Sequence, residues 1–126
     1  PEPCVFRRRF LWVMPEPLDV AAMDRAAQRL LGEHDFSCFC GNKKMKNSTV
    51  RRIDRIEVLQ KGREIQIAVT GNGFLQNMVR ILVGTLVEVG RGERTEESIP
   101  ALFGQKREQA GFLAPPQGLC LMEVTY

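Results

Sequence analysis

Val20, Met23, Ala27, Leu30 and Leu31 fall on one face when the chain is wound at helical spacing, and Gly32 follows them. Asp19, just ahead, can offer a side-chain oxygen to the free amides of a first turn, and a glycine suits the left-handed backbone that stops a helix. The spacing predicts a helix over 19–31. Residues 50–60 are rich in β-branched side chains, Lys61-Gly62 makes a turn, and Ile65, Ile67 and Val69 alternate with Gln66, Ala68 and Thr70. A period of two belongs to a strand with one buried face, so the two runs predict a hairpin. Gly71-Asn72-Gly73 breaks it. Leu75, Met78, Val79, Leu82, Val83, Leu86 and Val87 then form a wide helical stripe that ends near Gly90-Arg91-Gly92.

The remaining segments are less regular. A shorter helix is expected from 95 or 96 to 103, stopped by Gly104, and a last strand over 119–126. Residues 36–47 read as a loop with a basic tip. Four of the seven prolines stand in the first seventeen residues, so 1–17 reads as an extended lead-in, with 8–13 as a short edge strand. The order strand, helix, strand, strand, helix, helix, strand is close to the split βαβ pattern of ferredoxin-like folds. The expected class is α+β: one domain, mainly an antiparallel sheet with helices on one face.

Composition narrows the class little further. Of 126 residues, 44% are hydrophobic and 26% charged, the balance of a soluble globular domain. No apolar run approaches the roughly 20 residues that span a bilayer, and the first residues carry no signal-peptide core, so no membrane partner and a cytoplasmic location are expected. Cys38 and Cys40 make C-x-C, not the C-x-x-C of zinc or redox sites. With Cys4, Cys120 and the single His34, they are expected to be reduced, partly buried thiols rather than metal ligands.

The net charge of +3 excludes little, but the cations are grouped: Arg7, Arg8 and Arg9; Lys43, Lys44 and Lys46; Arg51, Arg52 and Arg55; then Arg91 and Arg94. Such groups attract a phosphate backbone; they are equally what a solvated surface carries. Arg80 lies about 120° from the centre of the long apolar stripe, on its margin. There a guanidinium reaches a carboxylate or a phosphate while its stem packs, or it is a plain surface arginine, which spacing alone favours. Gly71-x-Gly73 lacks the third glycine and the βαβ setting of a dinucleotide site, so a tight strand-to-helix turn explains it better. His34-Asp35-Phe36 reads as a capping turn with an aromatic anchor, not as a catalytic dyad.

Taken together, several segments resemble the tRNA pseudouridine synthase A family. They are Leu18-Asp19-Val20 to Met23, Ala26-Ala27, Leu31-Gly32-Glu33-His34-Asp35-Phe36-x-x-Phe39 and Val50-Arg51-x-Ile53. The longest is Gly71-x-Gly73-Phe74-Leu75-x-x-Met78-Val79-Arg80-Ile81-x-x-Gly84-Thr85-Leu86-x-Glu88-Val89-Gly90. Ala110-Gly111-x-x-Ala114-Pro115-x-x-Gly118-Leu119-x-Leu121 and Val124-x-Tyr126 follow in order. The resemblance implies an enzyme that converts uridine to pseudouridine in the tRNA anticodon arm, without cofactor or metal, as a homodimer. It also implies the ferredoxin-like half of the pseudouridine synthase fold.

The family's catalytic Asp stands in a G-R-T-D-type motif, and none of Asp19, Asp24, Asp35 and Asp54 has that context. The family's site tyrosine is likewise missing, since the one Tyr is Tyr126. The chain is therefore expected to be the C-terminal half, inactive alone, with its own N-terminal half as partner. Arg80 is implied as the ion-pair partner of the absent Asp. Phe74 and Leu75 are implied to pack under the target base, and Asn77, Arg51 and His34 complete the substrate-binding candidates. Gln76 and Phe112-Leu113 depart from the family pattern, which often has an aromatic or basic residue and Pro-Thr there. A non-catalytic RNA-binding or dimerisation module of the same fold is the alternative.

Overall fold

The computed structural model of the chain describes residues 5–13, 16–42, 48–116 and, for the backbone alone, 119–125. The basic group Lys43, Lys44 and Lys46, together with Cys4 and Tyr126, lies outside the described residues. The elements are β1 (Val5–Val13), α1 (Val20–Gln28), β2 (Gly32–Asp35), β3 (Val50–Lys61), β4 (Glu64–Gly71), α2 (Met78–Gly90) and β5 (Leu119–Thr125). The strands make one sheet in the order β2-β3-β4-β1-β5, antiparallel at every pairing. β1-α1-β3 and β4-α2-β5 are thus two βαβ units, each with a strand of the other inserted, as expected for a ferredoxin-like α+β domain. β2 is an addition at one edge.

Register assigns the faces. Phe10 and Val58 both stand opposite Ile67 on β4, and Trp12 stands opposite Ile65. Phe10, Ile65 and Ile67 are buried, and α1 and α2 pack over them against each other. The helix entries follow the local chemistry. Asp19 Oδ1 accepts the Ala22 amide at 3.0 Å as the N-cap of α1, and the Asp19 amide donates to the Gly90 carbonyl at 2.9 Å, tying the two helices. α1 ends at Gln28, three residues before the expected stop. Leu30 and Leu31 continue as a turn, their amides reaching back to the carbonyls of Ala27 and Gln28, until Gly32 at φ +99 turns the chain into β2. Met23, Ala27 and Leu30 are buried as their spacing predicts, whereas Leu31 is exposed.

Three expectations are corrected. Residues 8–13 belong to a nine-residue strand paired on both sides, not to an edge. Val5–Val13 holds no proline, so both rows of its backbone groups can join a ladder. The helix expected over 95–103 is two 3-10 turns, Glu96–Ser98 and Pro100–Leu102. Pro100 has no N–H for the Glu96 carbonyl, which takes the Ile99 amide at 3.2 Å instead. His34 and Asp35 of the expected capping turn His34-Asp35-Phe36 belong to a short strand, Gly32–Asp35, that pairs with the start of β3. Four residues with mostly exposed side chains carry no alternation by which to find them.

α2 begins at Met78 rather than Leu75, because Asn77 takes a left-handed backbone at φ 60, which Asn tolerates better than most residues. All seven residues of the predicted stripe are buried, and so are most of their neighbours: in α2 only Arg80 and Glu88 are not buried. The second cover is the segment 110–114, which lies against Gly84 and Thr85. A Cβ on Gly84 would overlap the carbonyl oxygen of Phe112, and one on Gly111 would stand 2.6 Å from Thr85 Cα. Among the described residues no helix is long and apolar enough to cross a membrane.

Leu82 is fully buried at the middle of α2. Leu82→Ala should therefore cost roughly 2–5 kcal/mol in chemical denaturation, through lost transfer energy and a residual cavity. An unchanged unfolding midpoint would show that α2 is not packed as described.

Candidate active site

The turn between β4 and α2 carries most of the candidate residues. Gly71 permits the close approach of the Arg52 carbonyl, and Asn72 Oδ1 accepts the Arg52 amide at 2.8 Å, so the turn is fastened to β3. This brings Phe74 to a cleft of about 470 Å³ lined also by Phe6, Arg8, Val50, Arg51, Asn72 and Gly73. The Arg8 guanidinium lies over the Phe74 ring, 5.7 Å from its centre. Arg51 closes the other side, its Nη1 donating to the carbonyls of Ser48 and Val50, each at 2.8 Å. Leu75 is buried beneath and belongs to the core.

Arg80 stands in the first turn of α2 and is half-buried. Its Nε donates to the Ala114 carbonyl at 2.7 Å, and its Nη1 to Asn77 Oδ1 at 3.3 Å. The Ala114 amide in turn donates to the Arg80 carbonyl at 3.1 Å. Among the described residues no carboxylate pairs with Arg80. A guanidinium has five N–H donors. With Nε and one Nη1 hydrogen used, the outer edge formed by Nη1 and Nη2 is left for an acceptor brought from elsewhere.

The other arginines of the predicted basic groups are largely spent inside the chain. Arg52 pairs with Asp54 at 2.7 Å, Arg55 with Glu57, Arg91 with Glu16 at 2.6 Å and Arg94 with Glu88 at 3.1 Å. His34 is also occupied. Its ring stacks on Phe103 at 3.9 Å between centres, and Nε2 donates to the Leu31 carbonyl at 2.7 Å. No described contact joins it to Arg80 or to the Phe74 cleft. Thus Arg51 and Phe74 share the cleft, Asn77 and Arg80 bond one another, and His34 stands apart. Arg8 and Asn72 were not singled out from the sequence. The available signal was an arginine at an inward-facing position of the alternating run Phe6, Arg8, Phe10, Trp12.

The chain matches the family profile described as tRNA pseudouridine synthase over residues 26–126. It belongs to the tRNA pseudouridine synthase family. Proteins named tRNA pseudouridine synthase A are similar to it throughout. That of Syntrophotalea carbinolica is 47% identical over 119 residues, covering 94% of this chain and 47% of the relative. That of Anoxybacillus flavithermus is 47% identical over 123 residues, covering 97% and 50%. That of Moorella thermoacetica is 47% identical over 125 residues, covering 98% and 51%. The chain spans about half the length of the curated relatives it matches.

Within this member of the family, Cys38 and Cys40 are buried free thiols, and burial pushes the Cys38 thiol above its ordinary range. Among the described residues no group of three or more His, Cys, Asp and Glu is placed to hold a metal. Asp35 points away from His34 and fastens the two ends of the excursion between β2 and β3. Its Oδ1 accepts the Thr49 hydroxyl at 2.6 Å and the Ser37 amide at 3.0 Å. The Thr49 hydroxyl is the main reason its carboxyl is held below the usual carboxylate range; burial opposes it, and bonds from Ser37 add smaller lowering effects.

A lowered folded pKa stabilises the fold above the unfolded carboxyl pKa of about 3.9, and that contribution fades as pH falls through the folded value. Thr49→Val should move the Asp35 carboxyl titration, followed by NMR, upward toward that unfolded value. An unmoved titration would show that the hydroxyl bond does not hold the carboxylate.

Proposed function

We infer that the chain works as the arginine-bearing, RNA-holding part of a tRNA pseudouridine synthase, acting on uridine in the tRNA anticodon arm. Family membership supports the reaction, and one observation carries the role: Arg80 is half-buried, held by a backbone carbonyl and an amide, with its outer edge unpaired among the described residues. Conversion of uridine to pseudouridine moves the glycosidic bond from N1 to C5 with no atom gained or lost, so the reaction calls for no cofactor. It does call for a carboxylate that stays ionised as nucleophile or base, and a guanidinium against it favours that state. In this reading the carboxylate comes from another part of a longer protein and docks on the Nη edge of Arg80. Phe74 offers a ring for a base to stack on, and Arg8 and Arg51 flank it where phosphates would run. A homodimer, which the family resemblance implies, acting in the cytoplasm, as the composition leads one to expect, completes the reading.

In a full-length synthase carrying this segment, Arg80→Ala should lower kcat about a hundredfold or more while KM for tRNA changes little. A preorganised charge lost from a site costs on that scale. Arg80→Lys tests whether charge alone suffices or the planar fork is needed. Wild-type kcat in Arg80→Ala would remove Arg80 from the reaction, and a rise in KM with kcat intact would make it a phosphate contact instead.

RNA affinity of the chain should fall linearly in log–log form as salt rises. Arg51→Ala should flatten the slope by about 0.7 on single-stranded RNA, the share of one phosphate contact. A slope unchanged by the substitution would place the phosphates away from the Phe74 cleft.

A further inference from the structure

The segment 110–114 makes more bonds to α2 than packing requires, and they form a series that ends on Arg80. Thr85 Oγ1 donates to the Ile81 carbonyl at 2.8 Å and accepts the Gly111 amide at 2.9 Å. Glu88 Oε2 accepts the Phe112 amide at 3.3 Å while its other oxygen holds Arg94. The Ala114 amide binds the Arg80 carbonyl, and the Ala114 carbonyl binds Arg80 Nε. Arg107 Nη1 holds the Gly111 carbonyl at 2.8 Å. α2 thus offers two side chains and one carbonyl to three amides of the strap, those of Gly111, Phe112 and Ala114. Thr85 is the buried polar residue of the described core. Gly84 and Gly111 allow backbone to meet backbone there, so the strap sits at a depth that no side chain could adjust.

We propose that Thr85 is a positioning residue for Arg80, acting through the strap: by seating Gly111 it places the Ala114 carbonyl, which takes Nε and aims the Nη edge outward. This rests on the reading of Arg80 as partner of an incoming carboxylate. The side-on fork of an arginine uses Nε with Nη2; with Nε already given to Ala114, only the end-on fork of Nη1 and Nη2 is open. A carboxylate is then received in one orientation rather than two. Gly111, which Thr85 binds, is three residues along the strap from Ala114, and Thr85 is five along the helix from Arg80, a span of about 7.5 Å at 1.5 Å per residue. It touches neither the guanidinium nor the Phe74 cleft.

The test compares Thr85→Val, which keeps the shape and loses the hydroxyl, with Thr85→Ser, which keeps the hydroxyl. In the full-length synthase, assayed well below the unfolding temperature of each variant, Thr85→Val should lower kcat about ten- to a hundredfold. KM for tRNA should stay within about twofold, and Thr85→Ser should restore kcat. In the same proteins the Nε–H resonance of Arg80, protected by its bond to Ala114, should shift and exchange faster in Thr85→Val but not in Thr85→Ser. Wild-type kcat in folded Thr85→Val overturns the proposal, as does a loss of kcat that Ser does not restore, or an Arg80 Nε–H resonance that ignores the substitution. The two readings fail separately. If Arg80→Ala retains wild-type kcat, the role of Arg80 in the reaction falls, while the Nε–H resonance still reports whether Thr85 sets its position.

Discussion

Two backbones meet with no side chain between them where the strap 110–114 crosses α2 at Gly84 and Gly111. Any side chain at Gly84 would meet the Phe112 carbonyl, which is backbone and cannot swing aside. Because the contact is glycine on glycine, α2 loses its solvent face and is buried almost all round, between the sheet and the strap. The burial leaves the strap's own amides in need of acceptors. Thr85, Glu88 and the Arg80 carbonyl supply them, so the same crossing that completes the core also fixes where Arg80 points. Phe112 then closes the flank, with Trp12 on one side and the Arg91 guanidinium over its ring.

Charge is organised by the same economy. Arg25, Arg29, Arg52, Arg55, Arg91 and Arg94 each meet a carboxylate, and such exposed pairs contribute little to stability. Their effect is to remove those cations from the set able to hold a ligand. Two arginines near the turn between β4 and α2 are held differently: Arg51 by carbonyls at the mouth of the Phe74 cleft, and Arg80 by a carbonyl and an amide. The two places lie at either end of the short turn 71–77, whose strained Asn77 both begins α2 and braces the guanidinium. A net charge of +3 spread over 126 residues gives no hint of that concentration.

The sequence by itself determined the parts whose physics is local. The stripe from Leu75 to Val87, the alternation of Ile65, Ile67 and Val69, the Asp19 cap and the Gly62 turn each depend on neighbours a few residues away, and each is present. The long motif around Arg80 was equally legible, which is why the family could be recognised from residues 71–90. Only the tertiary structure decided that 5–13 lies inside the sheet, because an interior strand differs from an edge strand by a partner more than 100 residues distant. It alone put Arg8 over Phe74 and spent His34 on Phe103, contacts between elements that no spacing along the chain encodes. It alone turned a residue on the margin of an apolar stripe into a guanidinium with a chosen free edge. Helical periodicity places Arg80 on a face, but the acceptor that orients it is the carbonyl of Ala114, 34 residues on, and a backbone oxygen leaves no mark in the pattern of side chains.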